Sequence, residues 1–247
     1  ARVTGKILRE ALEDSLKRLR TDYVDLYQLH WPNRGSYHFR KIWDFDPSRH
    51  DVRDMEGEVE DILGAVAALI AEGKMRAFGL SNETAWGTMK FLEASQRHGL
   101  PRIATMQNEY SLLCRLYDAD MAELGVREDI TLLAFSPLAA GLLTGKYSNG
   151  IIAPGTRHSI QPTLNGRTTE QAAAAVKEYC GVARKHGLDP AAMAIAFCMS
   201  RPFAVSPIIG ATSMAQLKTN LSADALELSA DVLADIEAVR RRYPMPM

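Results

Sequence analysis

Residues that could bind or activate a small ligand recur where the predicted β-strands end. The stretch from 24 to 35, VDLYQLHWPNRG, alternates like a strand and then places His30, Trp31 and Pro32 where the chain must turn into a loop. A histidine in this position is either a structural residue with its polar groups satisfied or a donor to a reacting group. The residue types alone leave both interpretations open.

Four further strand candidates end in small or polar groups. These are Ser81 with Asn82, Gln107 with Asn108, Ser136, and Gly210 with Ala211. A single Ser-Asn pair is more typical of a helix cap or a turn. However, the carboxyl ends of parallel strands share one edge, where the active sites of α/β proteins lie. The repetition therefore favours a convergent binding site.

The chemistry of these groups suits a flat heterocycle that carries an amide. Ser81, Asn82 and Gln107 offer both donors and acceptors, as a carboxamide requires, and Phe135 offers an aromatic face for stacking. This combination favours nicotinamide as the bound group.

A helix start near the C-terminus is a candidate anion site. The segment IGATSMAQLKTNL offers free backbone N–H groups beside the hydroxyls of Thr212 and Ser213. Thr212, Gln216 and Asn220 recur at four-residue spacing, so one helix face could follow a ligand outward from its phosphate. A capped surface helix with polar exposure remains the alternative.

The elements that must position these groups are strands separated by single helices. The strand candidates are residues 23–31, 74–82, 102–110, 130–138 and 205–212, with amphipathic segments between them and a helix at 7–20 before the first. This order favours a parallel sheet, either a β/α barrel or an open doubly wound sheet. Segments 33–57 and 146–169 show no period, and we expect structureless lids or binding loops there.

Composition excludes several classes of function. With 247 residues, 47% hydrophobic, and a formal net charge of -1, the chain has no basic surface that would hold nucleic acid or a membrane, so we expect a small-molecule partner. His30 is the one metal-ligand type at the strand ends, so we expect no metal. Lys74 begins its strand, which disfavours a Schiff-base aldolase. Three widely spaced cysteines and the lack of a membrane-length apolar run predict reduced thiols in a cytoplasmic protein.

Five motifs together resemble the aldo-keto reductase superfamily. They are LKRLRTDYVDLYQLHWP, GKMRAFGLSN, MQNEYSLL, LLAFSPLAAGLLTGKY and PIIGATSMAQLKTNL, in the family's order over nearly the whole chain. The fourth motif is most similar to the branch of potassium-channel β-subunits and related bacterial reductases. The resemblance implies a (β/α)8 TIM barrel that binds NADPH and reduces aldehydes or ketones to alcohols. The hydroxyls of Thr212 and Ser213, the cations Lys146 and Arg157 and the lack of a carboxylate to repel a 2′-phosphate predict a preference for NADPH over NADH.

The resemblance also implies roles for individual residues. His30 matches the catalytic-site histidine that orients the carbonyl. Apart from the resemblance, Trp31 and Trp43 either line the substrate pocket or anchor the loop after the first strand. The implied cofactor contacts are Ser81, Asn82, Gln107, Phe135, Ser136, Leu138, Gly141, Lys146, Arg157, Gly210, Thr212, Gln216 and Asn220. Thr219 departs from the family, which commonly has a glutamate facing adenine.

The family's aspartate, general-acid tyrosine and lysine come from its first three β/α units. The sequence opens in a helix that matches the one before the fourth strand, so we expect residues 1–247 to form a single domain that supplies strands 4–8 and is incomplete for catalysis. The alternative function is a regulatory or sensor module that binds NADPH without turnover. The physiological substrate and the oligomeric state are left open by the sequence.

Overall fold

The computed structural model describes residues 2–49, 51–148, 150 and 152–247. Contacts divide the chain into two compact units, Ala1–Gln107 with Leu124–Thr131, and Asn108–Glu123 with Leu132–Met247. The strands are β1 Val24–Gln28, β2 Met75–Ser81, β3 Ile103–Glu109, β4 Thr131–Phe135 and β5 Val205–Ile208. The α-helices are α1 Gly5–Leu19, α2 Val52–Ala71, α3 Ala85–His98, α4 Asp120–Arg127, α5 Arg157–Ile160, α6 Glu170–Lys185, α7 Pro190–Met199, α8 Met214–Ser222 and α9 Ala230–Arg242. Single 3-10 turns lie at Pro47–Arg49, Leu116–Asp118, Ala139–Thr144 and Ala223–Ala225.

In the first unit, β1, β2 and β3 are parallel and β2 lies in the middle. The registers bring Gln28 opposite Gly79 and Ser81 opposite Gln107, so the carboxyl ends of three strands share an edge. A side chain at Gly79 would place its Cβ 2.2 Å from Thr105 Oγ1, and this close approach requires glycine. The apolar face of α1 packs on α2, which in turn packs on β2 and α3.

In the second unit, β4 and β5 are parallel, and Phe135 lies opposite Ile208. Helix α7 contacts β5 and is buried along nearly its whole length, which explains its continuous run of alanine, methionine and isoleucine. Asp189 caps α7 by accepting hydrogen bonds from the backbone N–H groups of Ala191 and Ala192 at 2.8 and 3.0 Å, with Pro190 at the first helical position.

The structure confirms an α/β fold with parallel strands, and each predicted strand contains one of β1 to β5. The observed strands are shorter because the outermost predicted residues belong to turns. The (β/α)8 barrel and the assignment to its strands 4–8 stay predictions.

Two predictions about loops are wrong. Helix α2 begins at Val52, inside the segment 33–57, because Asp51 caps it and Met55 and Val59 continue its buried face through Gly57. The segment 146–169 contains the short helix α5, capped by Thr156. Both helix starts are rich in polar residues, so their sequences show little apolar period.

The three cysteines form no disulfide bond: Cys180 and Cys198 are buried and Cys114 is half-buried. Burial raises the pKa of the Cys198 thiol to about 12, so this group remains protonated at neutral pH. Within the described ranges, no helix combines the length and the hydropathy that crossing a membrane requires.

Candidate active site

Hydrogen bonds in the first unit bring together four of the residues singled out in the sequence. Ser81 Oγ and the Asn82 backbone N–H both donate to the carbonyl of Gln107, at 2.6 and 3.1 Å. The Asn82 side-chain amide donates to the carbonyl of His30 at 2.8 Å and to Ser81 Oγ at 2.9 Å. Asn82 has a φ of 55°, a left-handed conformation that asparagine tolerates better than most residues. Hydrogen bonds thus connect the residues at the carboxyl ends of β1, β2 and β3.

The His30 side chain is exposed, and its ring stacks on Trp31 with centroids 5.1 Å apart and planes 6° apart. Its backbone carbonyl is bonded to Asn82, whereas the imidazole nitrogens make no hydrogen bond to any residue of the described ranges. Stacking therefore orients the ring and leaves both nitrogens available to a bound molecule.

The hydrogen-bonding capacity left at this edge fits a carboxamide. The Ser81 hydroxyl proton and both Asn82 amide protons are engaged, so Ser81 Oγ can only accept a further bond. The side-chain amide of Gln107 is half-buried and has no hydrogen-bond partner in the part of the chain that the structure describes. It provides one acceptor and two donors, the complement of a nicotinamide carboxamide.

The predicted substrate-pocket tryptophans are both exposed, Trp31 by 54% and Trp43 by 69%. Trp31 meets Phe39 edge to face, with centroids 5.8 Å apart. No ring contact among the described residues joins Trp43 to Trp31, so the structure does not bring these two together. Their role as a substrate wall stays a prediction.

Sequence reasoning missed a buried ion pair beside this turn. Arg34 and Glu83, with side chains 9% and 3% exposed, form a bidentate pair, and Arg34 Nη2 also donates to Thr84 Oγ1 at 2.9 Å. The sequence signal that could have pointed to Glu83 is its position: it is an acidic residue just before Thr84, which caps α3. Nothing in the sequence connects it to Arg34.

The cofactor candidates of the second unit begin in the turn after β4. Ser136 has a φ of 56° and accepts a hydrogen bond from the Ala139 N–H at 2.8 Å. Gly141 has a φ of 95°, and a Cβ there would lie 3.2 Å from Lys146 Nζ, so this position favours glycine. The carbonyl of Leu138 accepts from Gly141 at 2.9 Å, and its side chain packs against the apolar cluster that includes Ala192 and Ile195.

Lys146 and Arg157 are both exposed cations. Tyr147 contacts Lys146 and a neighbour of Arg157. Lys146 Nζ lies 5.0 Å from the centre of the Tyr147 ring, and the backbone N–H of His158 donates to the Tyr147 hydroxyl at 3.4 Å. The ring of Phe135 is half-buried, and the Phe135 carbonyl accepts from the Tyr110 N–H at 3.2 Å.

The last group of candidates meets at the start of α8. Thr212 precedes the helix, so it does not share a helical face with Gln216 as predicted. Instead Gln216 Oε1 reaches back to accept from the Thr212 N–H and hydroxyl at 2.9 and 3.1 Å. Asn220 donates to the carbonyl of Gly210 at 3.2 Å, and the Ser213 hydroxyl caps α8. The first turn of α8 contains no acidic residue, which keeps this helix N-terminus compatible with an anion.

Parallel strands that present a histidine and amide groups at their carboxyl ends define an α/β protein with a potential nucleotide-cofactor site. A model of the aldo/keto reductase family matches residues 1–241. The chain belongs to the aldo/keto reductase family. Membership supports a reductase function in general terms and confirms the resemblance read from the motifs.

Three relatives illustrate this membership. Protein tas of Escherichia coli (strain K12) is 48% identical over 242 residues, which are 98% of this chain and 68% of that protein. An aldo-keto reductase of Babesia bovis is 37% identical over 231 residues, 86% of this chain and 78% of the relative. An Arabidopsis thaliana protein named as a probable voltage-gated potassium channel subunit beta is 29% identical over 248 residues, 98% of this chain and 69% of that protein.

Proposed function

We propose that this protein is an NADPH-dependent oxidoreductase that reduces small aldehydes or ketones to alcohols. The observation that carries the proposal is the edge formed by β1, β2 and β3, where two side chains have no hydrogen-bond partner among the described residues: the amide of Gln107, which lies opposite Ser81, and the imidazole of His30, whose backbone carbonyl is bonded to Asn82. The first group suits the nicotinamide carboxamide, and the second suits a carbonyl oxygen.

NADPH, when bound, supplies the hydride. The role proposed for His30 is to donate a hydrogen bond to the carbonyl oxygen, on which negative charge develops as the carbonyl is reduced. A donor that is already oriented stabilises this charge without reorganisation, and the stack on Trp31 provides that orientation. Ser81, Asn82 and Gln107 would hold the carboxamide of the nicotinamide.

The proposed preference for NADPH depends on the second unit. Lys146 and Arg157 are exposed cations, and Thr212 and Ser213 place hydroxyls at a helix start without an acidic first turn. These groups suit phosphates and leave no nearby carboxylate in that turn to repel a 2′-phosphate. Phe135, Gln216 and Asn220 complete the proposed contacts. A small carbonyl compound as the partner and a cytoplasmic location remain proposals from composition.

A second candidate is a subunit that binds NADPH and does not turn over. The likeness to the Arabidopsis protein named as a probable channel subunit favours it, because cofactor binding alone would account for the residues at the strand ends. The two candidates share their cofactor contacts and differ in whether His30 acts on a carbonyl.

Turnover by the purified full-length protein distinguishes them. NADPH consumption is followed with a reactive aldehyde such as 4-nitrobenzaldehyde, and NADPH binding is measured in parallel by fluorescence titration. We expect saturable binding and sustained consumption. Binding without consumption would favour the non-catalytic subunit, and a lack of binding would contradict both candidates.

A further inference from the structure

Side chains of residues 34–38, which follow β1, form hydrogen bonds with two consecutive residues in the turn between β2 and α3. Ser36 Oγ donates to the carbonyl of Asn82 at 2.8 Å, and His38 Nε2 lies 3.1 Å from the carbonyl of Glu83. The Glu83 carboxylate is paired with both terminal nitrogens of Arg34, at 2.9 Å for Nη1 to Oε2. Three side chains of one segment thus hold two consecutive residues of the other.

These bonds lie in a protein interior. Ser36, His38 and Glu83 are buried, 8%, 6% and 2% exposed, and the Arg34 guanidinium lies 5.2 Å from the centre of the Trp86 ring. A charge pair removed from water is a poor source of net stability, but removal of one partner leaves the other charge buried and unpaired. Such a pair strongly favours one relative placement of the two segments.

Asn82 belongs both to this set of hydrogen bonds and to the candidate site. Its carbonyl is held by Ser36, and its side chain holds the carbonyl of His30. The φ of 55° at Asn82 must also be maintained by its surroundings, since this conformation is uncommon. Displacement of the segment that contains Arg34 and Ser36 would therefore disturb the carboxamide-binding turn and His30 together.

We propose that Arg34, Ser36 and Glu83 are positioning residues that couple the segment after His30 to the turn proposed to bind the nicotinamide carboxamide. This inference rests on the proposed function, because it assigns a consequence to contacts with NADPH. The inference predicts that loss of this coupling weakens binding of the nicotinamide end of the cofactor and leaves binding of the adenosine end unchanged.

The test compares two ligands in the full-length protein. Glu83→Gln keeps the size of the side chain and removes its charge, so the turn loses its fixed placement. We expect the Kd for NADPH to rise about tenfold and kcat for a model aldehyde to fall. The Kd for adenosine 2′,5′-bisphosphate, which lacks nicotinamide, should change less than about twofold. Both constants are measured by isothermal titration calorimetry.

A milder variant keeps the inference testable if Glu83→Gln fails to fold. Ser36→Ala removes the hydrogen bond to the Asn82 carbonyl and a longer one, 3.4 Å, from the His38 N–H, and it should raise the Kd for NADPH about threefold in the same selective way. A matched control is Asp118→Asn in the second unit, where the Asp118 carboxylate pairs with Arg115 and both side chains are buried, at 9% and 4% exposed. This control should lower the melting temperature and leave the ratio of the two dissociation constants unchanged.

The outcomes separate the inference from the proposed function. Equal weakening of both ligands in Ser36→Ala and Glu83→Gln, or no weakening of NADPH in either variant, would overturn the coupling while NADPH binding by the unmodified protein still stands. Failure of the unmodified protein to bind NADPH would contradict the proposed function itself, and the coupling with it.

Discussion

The backbone carbonyl of His30 is bonded within the fold, whereas its imidazole has no hydrogen-bond partner in the part of the chain that the structure describes. The hydrogen bond to Asn82 ends at the His30 carbonyl, while the imidazole is exposed and held by its stack on Trp31. An exposed ring of this kind is accessible to a bound carbonyl compound as well as to water. The donor role of His30 therefore stays a proposal, and the next experiment tests it.

Replacement of His30 with alanine should lower kcat for carbonyl reduction about a hundredfold or more, because one preoriented donor is worth about 2.7–4 kcal/mol in a transition state. The Kd for NADPH should change little, since no cofactor contact is removed. Steady-state kinetics and fluorescence titration measure the two quantities. His30→Gln, which retains a donor, should keep part of the activity. Normal turnover in His30→Ala together with a lowered melting temperature would assign the residue a structural role.

The sequence predicted the candidate residues better than the contacts that hold them. His30, Ser81 and Gln107 are identifiable as candidates because small or polar types recur at the carboxyl ends of several apolar strands. The Arg34–Glu83 pair was not, since its members are 49 positions apart and charged residues in a sequence are usually solvated. Their burial depends on how the two segments pack, which no local pattern encodes.

At the scale of elements, an ion network fastens α1 to the end of α2 and the start of β2. Arg9 makes a bidentate pair with Glu72 at 2.7 Å for each bond, and Lys74 Nζ lies 2.6 Å from Glu13 and 2.9 Å from Glu72. The hydrogen bond from Arg9, followed by that from Lys74, lowers the pKa of Glu72 from 4.5 to about 2. The same lysine lowers the pKa of Glu13.

These shifts predict how stability depends on pH. Because the pKa of Glu72 is lower in the folded state, its stabilising effect is complete above the usual value of 4.5 and is lost as the pH falls towards about 2. In Glu72→Gln, the urea midpoint should lie below that of the unmodified protein at neutral pH, and the gap should close in this window. Glu10→Gln is the control, because Glu10 is exposed and lies 3.9 Å from Lys6. A difference between the two urea midpoints that does not change with pH would contradict the stabilising role assigned to the Glu72 carboxylate.

The elements themselves differ in how well the sequence specified them. The five strands are predictable because apolar alternation is a local signal. The pair Asp189-Pro190 at the start of α7 is likewise a local signal, of a helix start. The first turn of α2 was missed, since its residues are charged and its helical state depends on Met55 and Val59 reaching buried positions. Tertiary packing overrode weak local preference there.

At the scale of the whole molecule, the net charge of -1 provides no general attraction for an anionic cofactor. Recognition of phosphates must therefore depend on local groups, and Lys146, Arg157 and the start of α8 are the ones proposed. Membership of the aldo/keto reductase family makes a nicotinamide cofactor the natural ligand to test.

The dissociation constants of NADPH and NADH, measured by fluorescence titration of the full-length protein in one buffer, test the central claim most directly. Contacts of a helix N-terminus and a charged side chain with a 2′-phosphate contribute a few kcal/mol at most, so NADPH should bind about ten to a thousandfold more tightly than NADH. Lys146→Ala should reduce this preference, because it removes one of the two proposed cations. Equal dissociation constants for the two cofactors, or no binding of either, would contradict the account.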